Sequence, residues 1–355
     1  MSAVLLTGVG KRYDIVSCFA RETKTLAADP SPMAPARYAA HVQVDVPPMN
    51  DREYLPVLLE LCERHGVGAV LPLTDLDIEV LARGREEHGL PALVPSSEVA
   101  RATFDKFEAH ELFLRSDLPT PPTMLPGADL EAFEYPAVIK PRRGSGARSI
   151  HLARDAAEAR FFVPYLEGTR ARGEASGDWG GDVKAPVGEP VMIQRAMRGP
   201  ELSIDCLGDA DGRCLNAIPR TMIESRGGES VKGTVVHDDE LEALACRAME
   251  TLRVRGPATI QVFRDPDVGI AITDFNTRFG GAFPAPTFAA LPGRTYPQLI
   301  VRLAAGERIE PHVGEFTAPL SFTRYYWQLE LDADLRPTRR EIVPGGPPPP
   351  NLDQA

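Results

Sequence analysis

Two hydrophobic patterns alternate along the first 95 residues. Residues 4–7 and 68–73 are short, almost continuous apolar runs of the length of a buried strand, and residues 92–94 form a third, shorter run. Residues 51–65 and 78–87 instead carry apolar side chains at helical spacing. Alternation of this kind predicts a parallel sheet whose strands are joined by crossover helices.

The next segment begins with a helix signal. Asp105 is a good N-cap and Glu108 stands three residues later, which predicts a helix that runs to about Asp117. Residues 135–140 predict a strand that leads into a basic, glycine-containing turn. Residues 167–189 are rich in Gly, Ala, Asp and Glu without periodicity, and we expect a mobile surface loop there.

After residue 190 the pattern changes to consecutive strands. Strands are predicted over 191–194, 201–207, 214–218 and 221–225, and two further strands, 258–264 and 269–276, follow a predicted helix over 239–252. Strands grouped in this way predict an α+β region with antiparallel pairing.

Composition narrows the class of protein. The 355 residues are 43% hydrophobic and 25% charged, which is typical of a globular protein of two or three domains. The net charge of −11 disfavours a nucleic-acid partner. Since no apolar run approaches the ~18 residues of a membrane span, we expect no membrane segment and a cytoplasmic location. Five scattered cysteines without a C-x-x-C pair suit a reducing compartment and argue against a disulfide framework.

The turn from Gly8 to Lys11 resembles a phosphate-binding loop but fails both common motifs. A P-loop requires Gly at position 5 and Ser or Thr at position 12, and these positions hold Leu5 and Arg12. A dinucleotide fingerprint requires a third Gly where Tyr13 stands. A tight strand-to-helix turn is the simpler interpretation, and a small anion at the helix N-terminus remains the alternative.

The last hairpin gathers oxygen ligands. With a four-residue turn, Gln261 lies opposite Ile272 and Thr259 opposite Asp274, so that Gln261, Asp274 and Asn276 share one face. One carboxylate and two amides are the hard oxygen donors that Mg²⁺ bound to polyphosphate takes. The alternative is a polar hairpin that faces solvent.

A second constellation is cationic. Lys106 lies in the first turn of its helix, where the helix dipole disfavours a positive charge. Lys140 ends an apolar strand, and Arg142, Arg143 and Arg148 flank the glycine-containing turn. Cations placed against local preference predict a bound polyanion, the alternative being a solvated basic loop.

Four ordered motifs carry a family resemblance. They are Asp105-Lys106, Val138-Ile139-Lys140-Pro-Arg-Arg-Gly-Ser-Gly, Gln194 seven residues before Glu201, and Asp274-Phe-Asn276-Thr-Arg278-Phe-Gly-Gly. Together they resemble the ATP-grasp superfamily, and within it the carbamoyl-phosphate-synthase-like stand-alone ligases that join a carboxylate to an amine. The resemblance covers residues 1–325.

The resemblance implies a mixed α/β and α+β fold with three regions. They are a Rossmann-like preceding domain (1–100), an ATP-grasp small lobe with a glycine-rich lid loop (101–195) and a C-terminal lobe with the metal site (196–340). The proline-rich composition of the last residues separately predicts a disordered tail (341–355).

The resemblance also implies the site. The implied ATP-binding residues are Lys106, Lys140, Gly144, Ser145, Gly146, Gln194, Ala196 and Glu201; the implied metal ligands are Gln261, Asp274 and Asn276; the implied catalytic residues are Arg278, Lys232 and Arg220. Arg220 is expected to clamp a substrate carboxylate, with a surface arginine as the alternative.

The expected cofactors are ATP and Mg²⁺, with Mn²⁺ as a substitute. The expected partners are a small-molecule carboxylate and an amine, and a homodimer would match similar proteins. Three residues depart from the family pattern: Asp274 stands for the usual Glu, Gln194 for a frequent Glu and Thr277 for the usual Pro. The remaining alternatives are a small-molecule kinase, a carbamoyl-phosphate-type synthase and a non-catalytic ATP-binding regulator.

Overall fold

The computed structural model describes residues 2–144, 149–171, 190–226, 229–325 and 328–339. Within them the α-helices are α1 (Tyr13–Glu22), α2 (Tyr54–His65), α3 (Ile78–His88), α4 (Ser97–Phe104), α5 (Lys106–Arg115), α6 (Ala156–Ala171), α7 (Asp239–Thr251) and α8 (Tyr296–Ala304). None of these helices is long and apolar enough to cross a membrane.

The strands of the same residues fall into four sheets. They are β1 (Ala3–Thr7), β2 (Thr25–Asp29), β3 (Val42–Asp45), β4 (Val67–Pro72), β5 (Thr123–Met124), β6 (Ala137–Pro141), β7 (His151–Ala153), β8 (Val191–Arg195), β9 (Glu201–Gly208), β10 (Cys214–Thr221), β11 (Glu224–Arg226), β12 (Glu229–Val235), β13 (Gly256–Asp265), β14 (Gly269–Asn276), β15 (Leu320–Thr323), β16 (Glu330–Leu331) and β17 (Pro337–Arg339).

The N-terminal sheet is parallel, as predicted. Its order is β3-β2-β1-β4, and the predicted helices over 51–65 and 78–87 are α2 and α3. The strand predicted at 92–94 is reduced to a single parallel bridge between Val70 and Ala92. The sequence patterns did not identify α1, β2 or β3.

A small antiparallel sheet of order β5-β8-β6-β7 follows, with α6 on one face. The prediction of a loop from residue 167 is wrong for 167–171, because α6 continues to Ala171. Val163 and Leu166 bury this helix against the sheet, whereas Pro164 interrupts the helical signal in the sequence. Residues 172–189 and the predicted tail at 341–355 lie outside the described residues.

The large sheet is antiparallel, in agreement with the predicted α+β region. Its order is β11-β12-β10-β9-β13-β14, with β15 beside β12. The strand predicted over 221–225 is instead divided, since β10 ends at Thr221 and β11 begins at Glu224. Along β9 the side chains alternate: Ile204 and Cys206 join an apolar core with α7, while Ser203 and Asp205 take the other face.

The predicted register of the β13–β14 hairpin is wrong, although the face it assigned to the three metal-ligand candidates is right. Asp265 pairs with Gly269, and a bulge at Thr273 moves the pairing by one more residue, so that Gln261 lies opposite Asp274. The bulge lets Ile272 and Phe275, three residues apart, enter the same core. The turn and the bulge each shift the pairing of β13 with β14 by one residue from the predicted register. Because side chains alternate between the two faces of a sheet, a total shift of two residues leaves each side chain on its predicted face.

One apolar cluster joins the N-terminal sheet to the large sheet. It includes Leu6 of β1, Phe19 of α1, Leu207 of β9, Phe279 and Leu299 of α8. The small sheet and α6 have a separate cluster. The carboxyl ends of β1 and β4 are thus packed beside the polar face of the large sheet.

A disulfide joins β10 to α7, which the cysteine pattern did not predict. Cys214 pairs with Cys246, with Cα atoms 5.2 Å apart and a sequence separation of 32. The pairing arises because α7 packs directly on β10, a neighbourhood that cysteine spacing alone does not reveal.

Asp105 anchors the start of α5 and is fully buried. Its carboxylate accepts from the backbone N–H of Phe107 at 3.0 Å, which confirms the predicted N-cap. The same carboxylate accepts from Arg142 Nε at 2.9 Å and from Arg143 Nε at 3.3 Å. One side chain therefore fixes Lys106, the first residue of α5, relative to the end of β6.

We expect Asp105→Ala to lower the free energy of unfolding by about 3 kcal/mol, because it removes the helix cap and leaves two arginines without their buried partner. Asp105→Asn keeps one cap acceptor and should cost less. Urea unfolding followed by circular dichroism measures both. Equal stability of Asp105→Ala and the unchanged protein would contradict this role.

Candidate active site

Two cross-strand pairs form the polar centre of the large sheet. Gln261 lies opposite Asp274 and Thr259 opposite Asn276. Asn276 Nδ2 donates to Asp274 Oδ2 at 3.1 Å. Gln261 Nε2 donates to Glu201 Oε1 at 2.9 Å, so the amide oxygen is the end of this side chain that is available to a cation. The three predicted metal-ligand candidates are thus adjacent on one face.

Cations from other elements surround the Asp274 carboxylate. Burial alone would raise the pKa of Asp274, but Lys106, the Asn276 amide, Lys140 and Arg278 together hold it below its usual value. The carboxylate is therefore ionised at neutral pH, as a metal ligand must be.

Lys140 is buried at the end of β6, 8% exposed. Its Nζ donates to Gln194 Oε1 at 2.9 Å, and Gln194 Nε2 donates to Thr123 Oγ1 at 3.0 Å. Burial, together with the nearby Lys106, lowers the pKa of Lys140 to about 8, although Asp274 and Glu201 oppose the shift. Lys140 is thus a positive charge held in a place that favours an anionic ligand.

Lys106 approaches the glycine-containing turn. Its Nζ donates to the Gly144 carbonyl at 2.7 Å. Ser145 and Gly146, the other two predicted residues of this turn, lie outside the described residues. The contact places the Lys106 ammonium group at the edge of the turn, as expected of a phosphate-binding lysine.

The predicted nucleotide hinge lies at the end of β8. The Ala196 N–H donates to the Pro136 carbonyl at 2.9 Å, which fixes the hinge backbone to the residue before β6. Burial and the neighbouring Asp274 raise the pKa of Glu201, although Lys140 and Arg220 oppose the shift. Glu201 contacts Gln261, so the predicted ribose-binding and metal-binding residues are direct neighbours.

Arg278 links the end of β14 to the segment that follows β4. Its Nη2 donates to Asn276 Oδ1 at 3.1 Å and to Asp75 Oδ2 at 3.1 Å. Asp75 lies shortly after the end of β4 at Pro72, so the contact joins the N-terminal sheet to the large sheet. The side chain is 16% exposed, so it can still meet a ligand in the cleft.

The expected role of Arg220 as a substrate clamp stays a prediction that its contacts do not support. Arg220 is 2% exposed, and its Nε donates to Asp205 Oδ2 at 2.7 Å. Asp205 Oδ1 accepts from Thr259 Oγ1 at 2.9 Å. Arg220 therefore holds Asp205, which in turn holds Thr259 beside Asn276, while Arg220 Nη1 is buried without a hydrogen-bond partner among the described residues.

Lys232 is not brought to the metal-site face. It lies on β12, is about half exposed, and its Nζ pairs with Glu224 at 2.7 Å. Two strands, β10 and β9, separate β12 from β13 in the sheet. A catalytic role for Lys232 stays a prediction that these contacts do not support.

The donor set fits a magnesium ion. An ionised carboxylate and two amide oxygens on one sheet face match the oxygen preference of Mg²⁺, with room for phosphate oxygens from a nucleotide. In the described ranges, no group of three or more His, Cys, Asp or Glu side chains is arranged to hold a metal, so a zinc-type centre has no candidate there.

Residues 188–324 match the family model described as "ATP-grasp in the biosynthetic pathway with Ter operon". This part of the chain therefore matches the ATP-grasp superfamily. Residues 4–92 match a second model, "PylC-like, N-terminal domain". The ATP-grasp match contains β9, β13 and β14, the strands that carry the polar centre. The PylC-like match coincides with the parallel sheet.

Known proteins resemble this chain over part of their length. It is 25% identical to pyruvate carboxylase of Bacillus subtilis over 189 residues, which are 49% of this chain and 15% of that enzyme. It is 26% identical to D-alanine–D-alanine ligase of Frankia casuarinae over 248 residues, 61% of this chain and 59% of that enzyme. The chain thus spans less than two thirds of these relatives.

A solved structure has the same fold. The biotin carboxylase domain dimer of Hydrogenobacter thermophilus 2-oxoglutarate carboxylase, in complex with MgADP, ADP and bicarbonate, aligns with a TM-score of 0.67 at 20% identity. The alignment covers 89% of this chain and 72% of that protein.

The sequence did not identify two arginines of this region, Arg12 and Arg324. Arg12 Nη2 donates to the Phe279 and Gly280 carbonyls, and Arg324 Nη1 donates to the Gly281 carbonyl. Backbone carbonyls exist at every residue, so nothing in the sequence marks these partners. The only signal was a glycine-containing turn that fits no phosphate-binding motif.

We expect nucleotide binding to take up protons between pH 8 and 9. The free-state pKa of Lys140 is about 8, and a triphosphate beside it favours the charged form and raises this pKa. Affinity should therefore fall as the pH rises above 8. Titration calorimetry with ATP in buffers of different ionisation enthalpy measures the uptake.

Lys140→Arg is the control, because a guanidinium stays protonated throughout this range. Its binding enthalpy should depend less on the buffer. Buffer-independent binding by the unchanged protein would show that Lys140 does not contact the nucleotide.

Proposed function

We propose that this ATP-grasp protein is an ATP-dependent ligase that joins a carboxylate to an amine through an acyl phosphate, with release of ADP and phosphate. The observation that carries the proposal is the Gln261–Asp274–Asn276 face, which lies opposite Lys106 and Lys140 and beside Arg278. This arrangement suits a magnesium nucleotide whose terminal phosphate points at Arg278. The ligase name of one relative supports the reaction class.

In the proposed complex, Lys106 and Lys140 neutralise the phosphates of ATP and orient its terminal group. Gln194 and Ala196 lie at the adenine end, and Glu201 accepts hydrogen bonds from the ribose. Gln261, Asp274 and Asn276 hold Mg²⁺, with Mn²⁺ as a substitute. When bound, the metal supplies charge neutralisation at the transferring phosphoryl group.

The carboxylate substrate attacks the terminal phosphorus, and ADP leaves. Arg278 stabilises the charge that develops on the transferred phosphate, since its guanidinium is planar, always charged and partly accessible. The amine then attacks the acyl carbon, and phosphate leaves with the oxygen that came from the carboxylate. No protein nucleophile is needed, because positioning and charge stabilisation supply the rate enhancement.

We further propose that the reaction takes place in the cytoplasm, where ATP is abundant, and that the substrates are small molecules. The amine and the carboxylate enter from the side of Arg278 and Asp75, because the Lys140 side of the centre is occupied by the nucleotide. A homodimer is compatible with this arrangement.

The test follows the oxygen of the carboxylate. The protein is incubated with Mg·ATP and pairs of carboxylates and amines, and phosphate release is measured for each pair. For an active pair, a carboxylate labelled with ¹⁸O should transfer one label to the released phosphate, which mass spectrometry detects.

Other outcomes separate the alternatives. A phosphorylated product that retains the label, without phosphate release, would identify a small-molecule kinase. Turnover that requires bicarbonate and ammonia would identify a carbamoyl-phosphate-type synthase. Tight binding of Mg·ATP without turnover of any pair would identify a regulatory protein and refute the ligase proposal.

We expect Asn276→Ala to lower kcat by about 10²–10³, which is the loss typical of one removed group that stabilises transition-state charge. The fold should persist, because the side chain lies on a cleft-facing strand and leaves no core cavity. Steady-state kinetics and the melting temperature of one preparation measure both quantities.

Asn276→Asp is the matched variant. It keeps an oxygen at the same position and should retain more activity than Asn276→Ala. Equal activity of Asn276→Ala and the unchanged protein would show that the metal site lies elsewhere.

A further inference from the structure

A carboxylate of the protein itself already binds the turn after β1. The Gly10 N–H donates to Asp29 Oδ2 at 2.8 Å. Gly8 has a φ of +57°, and a Cβ there would meet the Thr74 side chain at 2.4 Å. The Asp29 carboxylate takes the N–H that a small anion would need, so this tightly packed turn has a different role.

The turn places Arg12 against the segment that follows β14 of the large sheet. Arg12 Nη2 donates to the Phe279 carbonyl at 3.0 Å and to the Gly280 carbonyl at 2.7 Å. These carbonyls lie 267 and 268 residues away in sequence and directly follow Arg278. A side chain of the N-terminal domain thus holds the backbone that leaves the metal-site strand.

Several side chains contact the backbone of the segment from Phe279 to Gly281. Arg278 Nη1 also donates to the Phe279 carbonyl, at 3.3 Å, and Arg324 donates to the Gly281 carbonyl. A Cβ at Gly280 would meet Thr259 Oγ1 at 2.5 Å and Asp205 Oδ1 at 2.6 Å. Three successive carbonyls therefore accept from arginines, and the backbone between them packs against the Asp205–Thr259 pair.

The arrangement is electrostatically costly for Arg12. Burial lowers the pKa of its guanidinium, and the like charges of Arg278 and Arg324 lower it further, while Asp14 and Glu229 oppose the shift. Arg12 Nε is buried without a hydrogen-bond partner among the described residues. A partly buried cation beside two other cations is a poor way to gain stability alone, which favours a role in the site.

We propose that Arg12 is a positioning residue for the reaction: by holding the Phe279 and Gly280 carbonyls, it fixes the orientation of Arg278 and Asn276 toward the transferred phosphate. This inference rests on the proposed function, because Arg278 and Asn276 act there on the phosphate and the metal. The turn from Gly8 to Arg12 matches neither phosphate-binding motif, and its role is to place Arg12 against these carbonyls.

Loss of this contact affects the chemical step more than nucleotide binding. Lys106, Lys140 and the hinge, which bind ATP in the proposed complex, do not contact Arg12. Displacement of a reacting group by about 1 Å lowers rates by about 10²-fold. Arg12 variants should accordingly lose kcat and keep their KM for ATP.

The experiment compares Arg12→Ala, Arg12→Lys and Arg21→Gln with the unchanged full-length chain. Arg21 is exposed at the end of α1, the helix for which Arg12 is the N-cap residue, and provides a matched control. Arg12→Ala should lose about 10²-fold in kcat with KM for ATP changed by less than about 3-fold. Arg12→Lys should recover little, because a lysine side chain ends one bond short of Nη2, the atom that donates to both carbonyls. Added guanidinium ion should restore part of the activity of Arg12→Ala.

Hydrogen–deuterium exchange provides a readout that does not require turnover. In Arg12→Ala, peptides that contain residues 277–284 should exchange faster, while peptides of α7 and α2 should not change. This comparison holds even if no substrate pair is found, so failure of the ligase proposal and failure of this inference remain distinguishable.

Two results would overturn the inference. One is a kcat of Arg12→Ala equal to that of Arg21→Gln. The other is unchanged exchange over 277–284 together with a general loss of melting temperature and no guanidinium rescue, which would make Arg12 a purely structural residue.

Discussion

The ionised carboxylate of Asp274 is the constraint on which the centre depends. A partly buried carboxylate would take up a proton if it were alone, and four neighbouring groups prevent this. Lys106 comes from α5, Lys140 from β6 of the small sheet, and Asn276 and Arg278 from its own strand and the residues after it. The charge of one side chain therefore depends on the packing of three separate parts of the chain.

The supporting structure keeps these parts in place through buried polar contacts. Asp105 joins the start of α5 to the end of β6, and Arg220 holds Asp205 beneath Thr259. Neither side chain lies where a ligand could reach it easily. Buried carboxylate–arginine pairs add little net stability compared with apolar packing, so their benefit here is the fixed geometry of the groups around Asp274.

Sequence reasoning succeeded where chemistry follows local rules. Period-two alternation placed Gln261, Asp274 and Asn276 on one face even though the predicted register was two residues off, because an even shift preserves the face. Lys106 was identified because the first turn of a helix disfavours a positive charge. The partner of Arg220, Asp205, was not predicted, since it lies diagonally across β9 and β10 and only the register reveals the pair. Arg12 and Arg324 were missed because they bind carbonyls, which no residue type marks.

The apolar clusters tie the parts of the described residues together unequally. The N-terminal sheet and the large sheet share one core, so a cut between them would expose the apolar sides of Phe19, Leu207 and Leu299. The small sheet has its own core, and the Asp105 contacts connect it to the start of α5. Water-excluding packing therefore joins the two larger sheets, whereas buried polar contacts join the small sheet to α5.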